Sequence, residues 1–260
     1  MIYQKELSLL RNVVPALFQK TEEKQAQISY KNQTELVTSS DLFMESEIIN
    51  AILAEFPEDV FLSEEFNRDA ALAKRTWIID PIDGTSNYAY HLDLFVVQIA
   101  LFEEGKIVLS YVYAPRVRKE FTAILGQGAF LNGKPIHVLS NTDQAVRLMS
   151  MIGISHDPEK NKSAFYDLLT YANKRKIKAR MLGSLGYEMS AMAEGSFAML
   201  YTDVSNLWDV APGLLLIREA GGIVVNERQE PYQLGDLHLY AFCDQTLMLD
   251  VFLETALLSD

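Results

Sequence analysis

Two aspartates three residues apart, Asp80 and Asp83, flank Pro81 and Ile82 at the end of an apolar run and are followed by Gly84, Thr85, Ser86 and Asn87. Trp77-Ile78-Ile79 reads as a buried strand, and the acids, proline and glycine beyond it read as the loop at its exit. With the free carbonyl of Ile82 between them, the two carboxylates supply hard oxygens within one turn. That set suits Mg²⁺, which wants near-octahedral oxygen coordination and keeps several waters. The amides of Gly84, Thr85 and Ser86 can hold anion oxygens, and the missing side chain of Gly84 lets the backbone come close. The stretch is therefore predicted to bind metal and phosphate.

One loop does not complete such a site, and remote carboxylates must join it. Glu64, in the pair Glu64-Glu65 at the end of the strand-like run 60–63, is one candidate. Asp209, beside Trp208 at a helix start, is the other; the helix dipole there favours the ionised form by about 0.3–1 kcal/mol. Several acids around a phosphate repel it unless two or more divalent cations lie between them. Two-metal sites activate water and stabilise both the attacking and the leaving oxygen of an in-line displacement. Hydrolysis of a phosphate ester is the reaction that follows.

The elements that must carry these residues are legible from periodicity. Leu7, Leu10, Val14 and Leu17 recur at helical spacing, with Pro15 expected to break or kink that helix. A polar loop from Lys31 leads to a short extended piece at 36–38 and to hydroxyls suited to an N-cap, which puts Asp41 in the first turn of a helix ending before Pro57. Residues 94–101 and 106–113 form an antiparallel hairpin about Glu103-Glu104-Gly105, with further strands at 120–124 and 128–131 before Asn132-Gly133. Past Val138 strands and helices alternate: strand 148–152, helix 162–172, strand 177–181, helix 185–193, strand 197–201, then a helix from Leu207 to Gly221-Gly222 with Pro212 in its first turn. Strands at 223–226 and 239–243 and a helix over 245–258 close the chain. The expectation is an α+β half over 1–138 and an α/β half over 139–260, packed as one unit.

Composition bounds the partners. The 260 residues, 49% hydrophobic, suffice for a large core. With 23 basic against 35 acidic residues the net charge is −12, which argues against general binding to nucleic acid or an anionic membrane. A lone Cys243 and the absence of a signal-peptide pattern or an 18-residue apolar span lead us to expect a cytoplasmic protein. Cys243 reads as core filler, and His91, His137, His156 and His238 have no ligand spacing. Lys174-Arg175-Lys176, with Lys178 and Arg180, reads as a solvated edge.

The haloacid dehalogenase-like phosphatases carry Asp-x-Asp-Gly-Thr at a strand end, whereas Asp80 and Asp83 are one residue further apart, so the second carboxylate points another way. The stretch from Asp80 to Asn87, Trp208-Asp209-Val210-Ala211-Pro212-Gly213 and Glu219-Ala220-Gly221-Gly222 instead resemble the two signatures of the inositol monophosphatase family. Leu36-Val37-Thr38, Glu64-Glu65 and the run from Gly126 to Gly133 match it too, so the resemblance extends from about Lys31 to the final helix. It implies a layered α/β/α/β/α sandwich, usually a homodimer, that depends on Mg²⁺, two or three ions per site, and is often inhibited by lithium. It implies Glu64, Asp80, the Ile82 carbonyl, Asp83 and Asp209 as metal ligands. Thr85 and Asp41 would orient and help deprotonate the attacking water, Glu64 would serve in catalysis as well as ligation, and Lys31 would lie near the outer metal waters.

Departures from the family pattern bear on substrate. Where inositol-specific relatives place a Glu that grips ring hydroxyls, this chain reads Tyr201-Thr202-Asp203. Direct spacing puts Thr202 there, and Asp203 only if the loop shifts by one. Ser184 and Leu185 should also face the substrate, Leu185 being bulkier than the small residue expected. Inositol monophosphate is the leading substrate, with fructose bisphosphate, phosphoadenosine phosphate and NADP as alternatives on the same metal core. A silent metabolite-binding regulator on the same fold is the reading from another class.

Overall fold

The computed structural model describes residues 2–23, 26–32, 36–139, 147–152, 164–204 and 206–255. In chain order the first part is α1 (Gln4–Glu22), the hairpin β1 (Ile28–Tyr30) and β2 (Leu36–Thr38), α2 (Ser39–Glu55), β3 (Val60–Ser63), β4 (Arg75–Asp83), α3 (Thr85–Ala89), β5 (Val96–Glu103), β6 (Lys106–Ala114), β7 (Lys119–Ile124), β8 (Ala129–Leu131) and β9 (Lys134–Ile136). The second part is β10 (Leu148–Ile152), α4 (Ala164–Lys174), β11 (Lys178–Arg180), α5 (Leu185–Ala193), β12 (Met199–Asp203), α6 (Leu207–Glu219), β13 (Ile223–Val225), β14 (His238–Phe242) and α7 (Gln245–Glu254).

β3 to β9 form a seven-stranded sheet in sequence order, while the five-stranded sheet runs β11-β10-β12-β14-β13. Side-chain alternation divides the interior into layers. Trp77, Ile79, Val97 and Ile99 pack under α1 and α2, whereas Ile78 and Val96 face α5 and α6. Those two helices lie between the sheets, with Met189 and Leu214 in the same core as Leu200 and Ala241 of the second sheet. On the far side of that sheet Met199, Tyr201 and Tyr240 pack against Leu168 of α4 and Phe252 of α7. The order is thus the layered α/β/α/β/α sandwich that the resemblance implied.

Two prolines behave differently from expectation. α1 continues through Pro15 to Glu22. The missing amide forfeits one hydrogen bond, and burial of Val14, Leu17 and Phe18 against the sheet offsets it. Pro212 falls in the second turn of α6, which begins at Leu207, and its carbonyl accepts from Ser110 Oγ of β6 at 2.8 Å. Other differences are of boundary: the helix expected over 162–172 is α4, two residues later, with 162 and 163 outside the described residues. The helix expected to 258 ends at Glu254, and 256–258 also lie outside. The short β1, α3 and β9 are additions. Among the described residues no helix is long and apolar enough to cross a membrane.

The middle helix layer is tight at its crossing. A Cβ built on Gly213 would lie 2.5 Å from Met189 Cβ, so α5 and α6 touch through the missing side chain. On an exposed helix Gly→Ala stabilises by roughly 1 kcal/mol. Here we expect Gly213→Ala to destabilise by about 1–3 kcal/mol through overpacking, read as a lower urea midpoint; a raised midpoint would mean a looser crossing than described.

Candidate active site

β4 runs past Asp80 to Asp83 with a bulge: Asp80 faces Gln98 of β5 and Asp83 faces Val96, so the span between the acids holds one residue more than the span opposite. In a regular strand, residues three apart point to opposite faces. The extra residue turns Asp83 to the same side as Asp80, and it likewise returns Ile82 to the core that holds Trp77 and Ile79. From there Asp83 Oδ2 accepts the Ser184 hydroxyl at 2.5 Å and the Gly186 amide at 2.7 Å, both at the start of α5. Gly84 makes this approach possible. Its φ is 88°, and a Cβ there would lie 2.9 Å from Ser184 Cβ. Thr85 and Ser86 then open α3, whose first amides have no intrahelical partner.

Asp41 is buried in the first turn of α2, where it closes a capping box with Thr38. Its Oδ2 accepts the Thr38 amide at 2.8 Å and the Thr38 hydroxyl at 2.5 Å, leaving Oδ1 for Thr85 Oγ1 at 3.2 Å. Thr85 Oγ1 is also 3.0 Å from the Ile82 carbonyl. One hydroxyl proton serves two acceptors, so the Thr85 hydroxyl is poised between Asp41 and the expected carbonyl ligand.

Lys31 bridges Glu64 and Glu65 at 2.8 and 2.5 Å. The two glutamates differ in surroundings, and Glu64 alone is the expected ligand. Their turn is held by Glu45 of α2, buried completely, which accepts the amides of Glu65 and Phe66 and the Ser63 hydroxyl. Asp209 stands in the first turn of α6, with Asn206 donating to its Oδ2 at 3.1 Å. Gln98, also fully buried, reaches from β5 to Asp80 Oδ2 at 3.3 Å and to the Asp209 carbonyl at 3.4 Å, joining acids that are far apart in sequence. Neither Glu45 nor Gln98 was anticipated from sequence. The one available signal for Glu45 was its position four residues after Asp41, one turn along the same helix face.

Crowding leaves an electrostatic signature. Burial, then the charges of Glu64, Asp83 and Asp209, raise Asp80 well above the usual carboxylate range. Burial pushes Asp83 up to about 6, and burial with Asp83 beside it pushes Asp209 up to about 7. Asp41, mainly through burial, is raised to about 6. Burial alone would lower the Lys31 ammonium, but its bonds to Glu64 and Glu65 outweigh that and the net shift is upward. Among the described residues no three acidic side chains are gathered closely enough to enclose an ion. The donor set is nevertheless all oxygen, short of positive charge and mutually repelling, which is the chemistry that fits a hard divalent cation and not a softer metal.

Asp83 and Asp209 open onto a cleft of about 560 Å³ walled by Ile152, Met181, Gly183, Leu185, Thr202 and Asp203. Leu185 and Thr202 thus lie beside the acids, whereas Ser184 is spent on Asp83. Strand alternation sends Thr202 and Asp203 to opposite faces of β12. The Thr202 hydroxyl donates to the Asp203 carbonyl at 2.9 Å, and Asp203 Oδ1 is 2.7 Å from both the Tyr201 hydroxyl and His238 Nδ1. Ser86 is exposed at the start of α3. A larger groove of about 720 Å³ between α1 and the β6–β7 turn contains Arg11, Arg116 and Arg118 but none of the acids above; Arg11 and Arg116 pair with Glu120 and Glu22. Lys174 and Arg175 are paired with acids of α7, His156 lies outside the described residues, and Cys243 is buried.

The sequence matches the profile of the inositol monophosphatase family over residues 2–247. An inositol monophosphatase of Dictyostelium discoideum is 33% identical over 229 residues, covering 86% of this chain and 84% of that protein. Among solved structures, the extragenic suppressor protein suhB from Bartonella henselae superposes with a TM-score of 0.84 at 25% identity, covering 98% of this chain and 99% of that one. The Thermotoga maritima IMPase does so with a TM-score of 0.83 at 26% identity, covering 97% and 96%. Fold and site together define a phosphoric monoester hydrolase. The chain belongs to the inositol monophosphatase family, in which metal dependence is general.

The raised carboxyls make stability depend on pH and cation together. Asp41, Asp83 and Asp209 hold protons in the folded state to about 6–7, against about 3.9 for an unfolded Asp. Their contribution is present below about pH 4 and is lost as pH rises through 6 to 7. We expect the melting temperature of the metal-free protein to fall from pH 5 to pH 8, and added Mg²⁺ to raise it more at pH 8 than at pH 5. A Mg²⁺ effect independent of pH, read by differential scanning fluorimetry, would count against Asp83 and Asp209 as ligands.

Proposed function

We propose that this chain hydrolyses the phosphomonoester of a small polyol, inositol monophosphate before others, using two or three Mg²⁺ held by Glu64, Asp80, the Ile82 carbonyl, Asp83 and Asp209. When bound, the ions would neutralise phosphate charge and make water a better nucleophile. The amides of Gly84, Thr85 and Ser86 hold phosphate oxygens. The observation that carries the reading is Thr85 Oγ1 at 3.2 Å from Asp41 Oδ1, next to the acid cluster. In this reading Thr85 Oγ1 accepts the proton of the attacking water while its own proton goes to Asp41 Oδ1. An acid raised to about 6 is well matched to that task near neutral pH. Lys31 holds Glu64 and Glu65 in register beside the site. Ser184 supports Asp83, while Leu185, Thr202 and Asp203 lie where the alcohol part of the substrate would sit.

The names of its relatives favour inositol monophosphate. The bulk of Leu185 and the Thr202-Asp203 departure keep fructose bisphosphate, phosphoadenosine phosphate and NADP as substrates to compare. Homodimerisation, lithium sensitivity and a cytoplasmic location complete the proposal.

Asp83→Asn should lower turnover at least ~100-fold by weakening the stabilisation of attacking and leaving oxygens while the protein still folds; near-normal turnover at saturating Mg²⁺ would sink the assignment. With Thr85→Ala we expect phosphate binding to survive and the chemical step to fail in single-turnover kinetics. Steady-state assays over the four substrates decide among them, with the highest kcat/KM expected for inositol monophosphate.

A further inference from the structure

Glu188 is a fully buried carboxylate that neither the ligand set nor the proton relay uses. It lies in the first turn of α5 and reaches back over the segment that enters the helix. Oε1 accepts the amides of Leu182 at 2.7 Å and Gly183 at 3.1 Å, and Oε2 accepts the Ser150 hydroxyl of β10. Burying a carboxyl in a core of methionines and leucines is costly unless its oxygens are satisfied. The helix itself does not require it, because Ser184 is already the N-cap and accepts the Tyr187 amide at 3.3 Å.

What Glu188 holds is the segment from Leu182 to Ser184. On the other side Asn87 Nδ2 donates to the Leu182 carbonyl at 2.7 Å, and the Cα of Gly183, at φ 80°, passes so near that a Cβ would lie 3.1 Å from Asn87 Oδ1. The segment is therefore gripped by its amides from Glu188 and by a carbonyl from Asn87. It delivers one hydroxyl, that of Ser184, to Asp83 Oδ2 at 2.5 Å. Groups that orient ligands from behind typically change metal affinity 10–100-fold when removed.

We propose that Glu188 is a positioning residue of the metal centre: by fixing the amides of Leu182 and Gly183 it keeps Ser184 against Asp83 and so sets the orientation of that ligand toward a divalent cation. The inference rests on the reading of Asp83 as a ligand given above. Burial pushes the Glu188 carboxyl up to about 8, so its neutral form is well populated at neutral pH and glutamine is its close isostere.

Mn²⁺ binding measured by calorimetry on the purified full chain tests this without reference to turnover. Glu188→Leu keeps the volume and removes both acceptor oxygens; it should weaken Mn²⁺ binding ~10–100-fold, whereas Glu188→Gln, which keeps one oxygen for the two amides, should stay near wild type. Ser184→Ala should weaken binding too, and combining it with Glu188→Leu should add little, because both act through one contact. Unchanged affinity in Glu188→Leu, an equal loss in Glu188→Gln, or losses that multiply in the double variant would each overturn the proposal. If Glu188→Leu does not fold, Glu188→Asp, whose shorter arm pulls the carboxyl off the amides, takes its place with the same expectations. A wild-type chain that binds Mn²⁺ yet hydrolyses no phosphomonoester would remove the proposed function and leave Glu188 to be decided by binding alone. One that binds no Mn²⁺ would remove the ligand set and this inference together.

Discussion

Repulsion among buried carboxylates is the constraint on which the rest of this structure depends. Asp41 and Asp80 are almost without solvent contact, and Asp83 and Asp209 are half-buried beside them at the edge of the cleft. Taking such groups out of water and setting them side by side is unfavourable twice over, through desolvation and through like charge. The fold has to impose the arrangement. It does so with elements whose own burial is secured elsewhere: β4 is anchored on both faces, by Trp77, Ile79 and Ile82 toward α1 and α2 and by Ile78 toward α5 and α6. The bulge between Asp80 and Asp83 converts that anchorage into two acids on one side.

A second tier of polar contacts divides the strain. Asp41 is stabilised by its capping box, Asp83 by Ser184 and Gly186, Asp209 by Asn206, and the turn at Glu64 by Glu45 and Lys31. Each bond favours the ionised form of one carboxylate, yet burial still wins and every shift in the cluster that is resolved among the aspartates is upward. Hydrogen bonds therefore moderate the repulsion without cancelling it. Cation binding is the larger compensating term that the geometry leaves available.

What was legible in the sequence follows the range of the physics. Asp80, Asp83 and Gly84 were readable because strand, acids and turn are adjacent, and Asp41 because an N-cap and its box span only a few residues. The layers were readable in outline, since amphipathic alternation reports which faces are buried. Gln98, Glu45 and Glu188 escaped because a polar residue on a strand or helix looks solvated until its fully buried position is known. The continuation of α1 through Pro15 escaped for the complementary reason: propensity is local, and the packing of Val14, Leu17 and Phe18 that overrides it is not. At Thr202 and Asp203 the comparison with the family pattern left two positions open, and only the strand pleat shows that they lie on opposite faces.

The cleft draws its two walls from different parts of the molecule. Asp83 comes from the end of β4 in the seven-stranded sheet, whereas Ile152, Met181, Thr202 and Asp203 hang from strand ends of the five-stranded sheet. Each sheet buries its outer face in a separate core. The second wall is not wholly independent of the acids, because the segment from Leu182 to Ser184 holds Asp83; the freedom to exchange one phosphorylated alcohol for another lies with Ile152 and Thr202, outside that segment. Gly84 marks where that freedom stops, because there the two walls meet too closely to admit a methyl group.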